Sequence, residues 1–180
     1  MRNIRKNNVK LIAIILVMIL ILGLGIIAII NPGKYVSFIY RNSVIIFIIG
    51  IISIIVSSYC IYEFGRKLIK KDAVLTINNK GINDGVNILD YPFIHWKNIL
   101  NIEECNINNI PHLKVFIDNP QQYINQKVGF KKWILKLNLK KHHTPILLNA
   151  IYLACSFENY KKNVIEDYKK YKLIDKDSIL

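Results

Sequence analysis

Charged residues vanish from two stretches near the start of the chain, 11–30 and 43–62, which are dominated by Ile, Leu and Val and contain no Asp, Glu, Lys, Arg or His. A helix needs about 20 apolar residues to cross a hydrocarbon core, so both runs predict transmembrane helices. The first is longer than the apolar region of a signal peptide and no small-x-small cleavage site follows it, which predicts an uncleaved anchor. Between them, 31–42 is too short for a domain and opens with Asn31-Pro32-Gly33, a helix stop followed by a turn residue. A helical hairpin is expected. Gly23, Gly25 and Ala28 on the first helix and Gly50, Ser53 and Ser57 on the second provide small residues for close approach. The basic juxtamembrane stretch 63–71 should continue the second helix.

From residue 72 the pattern changes to that of a water-facing domain, 72–180. Val74-Leu75-Thr76-Ile77 predicts a strand, closed by the turn residues Asn78-Asn79-Lys80-Gly81, with a second strand directly after it. Asp84-Gly85 signals another turn, and 86–89 and 93–96 predict strands interrupted by Tyr91-Pro92. The alternation over 99–107 is ambiguous, whereas 113–117 predicts a strand ending at Asp118-Asn119-Pro120. After that proline the period becomes helical. Residues 121–141 place Ile124, Val128, Leu135 and Leu139 on one side and Phe130, Trp133, Ile134 and Leu137 on another, with Gly129 as a bend or the helix start. A last strand is expected within 144–154. Ser156 then caps a terminal helix whose Phe157, Tyr160, Val164, Tyr168 and Tyr171 recur at three- and four-residue spacing. The expected fold is a membrane α-helical hairpin followed by an α+β domain, a small bent antiparallel sheet closed by a C-terminal helix.

The tracts Gly81-Ile82-Asn83-Asp84, Phe93-Ile94-His95-Trp96-Lys97-Asn98-Ile99, Asp118-Asn119-Pro120-Gln121-Gln122-Tyr123-Ile124 and Thr144-Pro145-Ile146 resemble those of an uncharacterised bacterial family. Its members have two transmembrane helices and a C-terminal pleckstrin-homology-like domain, and the resemblance covers nearly the whole chain. It implies a PH-like fold and brings no catalytic residues. In that family the aromatic tract reads Ile-Pro-Trp followed by acidic residues and Ile; here His95 replaces the proline and Lys97-Asn98 replace the acids. Trp96 and Ile99 match, and both are expected in the core.

Charge then sets the orientation. Arg2, Arg5, Lys6 and Lys10 precede the first helix and Arg66, Lys67, Lys70 and Lys71 follow the second, against only Lys34 and Arg41 in the link. Basic residues favour the cytoplasmic side, so both termini are expected there and the protein is expected in the inner (cytoplasmic) membrane, with 1–10 a basic cytoplasmic N-terminus and 31–42 outside. The net charge of +13 is concentrated in 1–71, which holds ten basic residues and one acid, whereas 72–180 holds fifteen and eleven. No nucleic-acid-binding signature accompanies it, and no nucleic acid is expected as a partner.

Little in the chain points to chemistry. Cys60, Cys105 and Cys155 have no Cys-x-x-Cys spacing and are expected to be reduced and structural. His95, His112, His142 and His143 do not form a metal-ligand pattern, and no phosphate loop, nucleophile turn or His-Glu-x-x-His helix is present. Neither a catalytic activity nor a cofactor is expected. Without an ionisable residue in either apolar run, an ion pathway has no relay group.

One surface stands out. Lys127, Lys131, Lys132, Lys136, Lys140 and Lys141 fall within fifteen residues that hold no acid, interleaved with Phe130 and Trp133. This helix is the candidate membrane- or partner-binding site: it either offers its second apolar side to lipid headgroups or a protein, or packs both sides inside the domain. The expected function is a non-enzymatic membrane adaptor or sensor that binds a protein partner or anionic lipid headgroups. The alternative is an inner-membrane immunity protein that binds a toxin. From the charge bias, single cysteines introduced in the 34–41 link should react with a membrane-impermeant reagent on intact cells, while those in 72–180 should not; the opposite labelling would reverse the topology.

Overall fold

The computed structural model describes residues 2–36, 42–70 and 74–177. The chain divides into two compact units, Asn8–Lys71, and Met1–Asn7 together with Asp72–Leu180.

The first unit is a pair of helices, α1 (Asn8–Ile30) and α2 (Ser43–Ile69), both long and apolar enough to cross a membrane. A short 3-10 turn at Pro32–Tyr35 follows α1, and the Asn42 side chain caps α2 by accepting the Val44 N–H at 2.8 Å. Residues 37–41 of the link lie outside the described residues. The helices meet at glycines: a Cβ placed on Gly50 would stand 2.8 Å from Ile29 Cγ1 and 3.0 Å from the Gly25 carbonyl oxygen, so no side chain fits there. Ala28 also borders this contact, whereas Gly23 has open space around it and plays no part. On α1 only Leu11 and Gly25 are buried, which leaves Leu16, Leu20 and Leu24 exposed along its length. A soluble core helix would bury such residues; this one turns them outward, as lipid allows. As expected from the sequence, α2 runs on into the basic stretch; it ends at Ile69 with Lys70 as its C-cap, and Lys71 lies outside the described residues.

The second unit is α+β. Strands β1 (Arg2–Arg5), β2 (Val74–Asn78), β3 (Gly81–Asp84) and β4 (Ile94–His95) form one antiparallel sheet in that order. Strands β5 (Ile99–Ile107), β6 (Ile110–Ile117) and β7 (Ile146–Leu148) form a second, also antiparallel. The presence of β1 is not foreseen by the sequence pattern. Arg2 lies opposite Ile77 and Arg5 opposite Val74, so residues ahead of α1 complete the sheet that follows α2. Backbone bonds from Asn7 N to Tyr152 O (2.8 Å) and from Ala154 N to Arg5 O (2.9 Å) hold the same segment from its other side. Arg2 also bonds the Asn163 side chain and pairs with Glu166 at 3.0 Å and Asp167 at 3.4 Å, all on α5 (Phe157–Asp177). These basic residues, expected from the sequence to act as topological signals, have structural partners in the domain.

The β2–β3 turn is the one expected: Asn78 accepts the N–H groups of Lys80 and Gly81. Gly81 is obligatory for a packing reason, since a Cβ there would lie 2.0 Å from the Ile94 carbonyl oxygen. The strand expected over 86–89 is absent. Asp84 accepts from Val86 N and Asn87 N, and Asn87 accepts from Leu89 N, so side chains capture the backbone donors that a ladder would need. The ambiguous 99–107 segment is a full strand, with an irregularity between Ile99 and Asn101. It turns at Asn108-Asn109, both at positive φ (50° and 62°), the two-residue geometry that a right-twisted hairpin favours. The single helix expected over 121–141 is two, α3 (Pro120–Asn125) and α4 (Gly129–His142). Gly129 at φ 57° resets the helical phase, and Val128, expected on the buried side, is 84% exposed instead. Of 144–154 only β7 is a strand; Asn149 accepts the Ile151 N–H and turns the chain away.

Both sheets and three helices share one core, which includes Leu75, Ile82, Ile94, Leu113, Val115, Ile146, Ile124, Leu135, Tyr160 and Val164. Trp96 is central to it, 1% exposed, with its indole N–H donated to the Asn78 carbonyl at 2.8 Å. At the start of α5 the Ser156 hydroxyl accepts the Asn159 N–H, as its capping pattern predicts. Replacing Trp96 by Ala should cost about 3 to 5 kcal/mol through the cavity left behind. Thermal unfolding of the full chain in detergent should show a lost or strongly lowered transition; an unchanged melt would contradict the core assignment.

Candidate membrane or partner interface on α4

Helical spacing sorts α4 into three longitudinal strips. Lys131, Leu135 and Leu139 recur every four residues and face the domain: Leu135 is 1% exposed and Leu139 packs partly on the core. Lys131 belongs to this side. Its ammonium meets the Asp90 carboxylate at 2.6 Å, so it is a structural cation and is not offered to a ligand. Roughly opposite stand Phe130, Trp133 and Leu137, at 55%, 54% and 41% exposure, with the two aromatic rings 5.6 Å apart. Between the strips run Lys132, half-buried, and Lys136 and Lys140, exposed. Lys141 is exposed one turn beyond Leu137, and Lys127 is half-buried ahead of the helix.

The two apolar sides of this helix differ in burial. Only one apolar side packs inside the domain; the other is exposed and edged by lysines. Ile134, expected with the outer group, is intermediate in exposure. The charge has one sign well beyond the helix, because residues 119–157 contain six lysines and no acid. Lys140 and Lys141 lie in the last turn, where they also complement the helix dipole, and His143 in left-handed conformation (φ 61°) ends the helix. His142 does not add to the charge near neutral pH: burial, then Lys114, Lys141 and the neighbouring imidazoles, push its pKa below the usual histidine range.

Several other titratable groups among the described residues have structural settings. His112 uses Nδ1 toward the Ile110 carbonyl at 2.8 Å and Nε2 toward the Asn149 amide at 3.3 Å, although Cys105 lies opposite it in register. Burial raises the Cys105 pKa, the reverse of what an activated thiolate needs. Tyr91 and Tyr160 are likewise held protonated, chiefly by burial. Among the described residues no three His, Cys, Asp or Glu side chains are placed to share a metal ion. Two concavities lie away from α4. One of about 390 Å³ sits between the β2–β3 turn and α5, and one of about 230 Å³ is lined by His95, Asn98 and Tyr123.

No family model matches the chain, and no curated protein or solved structure shows significant similarity to it. The site therefore rests on its own geometry. Sequence pattern located the lysines and both aromatics; it did not separate Lys131 from the rest, because the partner Asp90 lies 41 residues away.

Proposed function

We propose that the protein is a membrane-anchored, non-enzymatic adaptor or sensor, whose α+β domain binds a protein partner or lipid headgroups at the cytoplasmic face of the membrane. The observation that carries this reading is the α4 surface, where Phe130, Trp133 and Leu137 are exposed beside Lys136, Lys140 and Lys141. A solvated helix face rarely groups large apolar side chains in one strip, whereas a binding face does. The exposed aliphatic surfaces of α1 and α2 support a spanning hairpin. A sheet that takes β1 from before α1 and β2 from after α2 supports an even number of crossings, and the basic flanks favour a cytoplasmic location for both ends. Two antiparallel sheets with α5 packed on their common core support the PH-like resemblance.

A photoreactive amino acid in place of Leu137 in the full-length protein, expressed in cells, should form discrete adducts identifiable by mass spectrometry. They should disappear when Lys136, Lys140 and Lys141 are changed to Gln. A secreted toxin as the adduct would move the protein to the self-protection class. An absence of protein and lipid adducts alike would contradict the binding reading.

A further inference from the structure

We infer that the α4 face docks on the surface of an anionic bilayer, with Phe130, Trp133 and Leu137 entering the headgroup boundary while Lys136, Lys140 and Lys141 meet lipid phosphates. This rests on the binding-module reading above and names the occupant of its site.

Three features select a lipid surface. The apolar side chains project from one helix, and the two concavities described above, beside α5 and around His95, are lined by other residues. The charge is spread, since the exposed lysines extend over a turn and a half of helix and lie in an acid-free stretch of 39 residues, 119–157. That distribution complements a plane of many phosphates and carries no acid to match a basic protein side chain. The apolar strip pairs Trp133 with Phe130 at 5.6 Å, side chains suited to the boundary between headgroups and acyl chains, and the lysine stems can lie along it while their ammonium groups stay in water. Recognition of this kind reads charge density and is indifferent to headgroup stereochemistry. Lys131, held by Asp90, takes no part.

The two tryptophans make the test direct, because Trp96 is buried and Trp133 exposed. The full chain is reconstituted into nanodiscs of phosphatidylcholine alone or mixed with phosphatidylglycerol, and its fluorescence is read with and without brominated acyl chains. Trp133→Phe supplies the Trp96 background. In anionic discs Trp133 should shift to the blue and be quenched, and in neutral discs it should be neither. Added salt should reverse the effect, and free glycerol phosphate should not compete beyond its ionic strength. Lys136→Gln, Lys140→Gln and Lys141→Gln together should return quenching to the level of neutral discs with the melt unchanged. Unquenched Trp133 in anionic discs would overturn lipid docking and, if protein adducts still form at position 137, would leave the adaptor reading standing. Equal quenching in both discs, or specific release by glycerol phosphate, would overturn the surface-charge mechanism.

Discussion

The pairing of β1 with β2 is the constraint on which the rest depends. Four residues, Arg2–Arg5, form an edge strand whose partner begins at Val74, and the intervening chain is the helical pair. The helices thus stand where a hairpin turn would otherwise join two adjacent antiparallel strands. Closing so long a loop is entropically costly for a strand of this length, yet the cost grows only slowly with loop length, and the α1–α2 pair forms its own compact unit. The strand is further secured by the bonds from 5–7 to 152–154 and by Arg2 against α5. Hydrogen bonding to Arg2 holds the Glu166 carboxyl below the usual glutamate range, so this exposed contact weakens in acid as Glu166 protonates. A chain cut at residue 72 would lack both the strand and the ion pairs.

With that sheet complete, the core settles the remaining elements. Trp96 fills the centre and ties the β2–β3 turn through Asn78, while Gly81 lets β3 and β4 approach closely. The consequence for the candidate surface comes from Gly129. By restarting the helix it turns Leu135 and Leu139 inward, and so leaves Phe130, Trp133 and Leu137 outward. The same rotation places Lys131 against Asp90 and the other lysines at the margin of the apolar strip.

Much of this was legible in local pattern. The two apolar runs, the Asn78–Gly81 turn, the Ser156 cap and the aromatic face of α5 each announce themselves within a few residues, because short-range chemistry determines them. The misses share a different cause. Arg-Asn-Ile-Arg is too short and too charged to read as a strand without its partner some 70 residues on. The segment 86–89 has strand-forming residues, but Asp84 and Asn87 side chains satisfy the backbone first. Asn108-Asn109 is a hairpin turn only because both residues take positive φ. At the candidate site, composition identified the lysines and aromatics, and only the tertiary contact with Asp90 removed one lysine from the candidate set.

Amide hydrogen exchange of the full chain in nanodiscs tests the central claim most directly, because it reads the β1–β2 ladder itself. If residues ahead of α1 complete the sheet, amides in 2–5 that bond to β2 should be protected to a degree comparable with their partners in 74–78. Exchange of all amides in 2–5 at the rate of an unstructured chain, beside a protected 74–78, would contradict it.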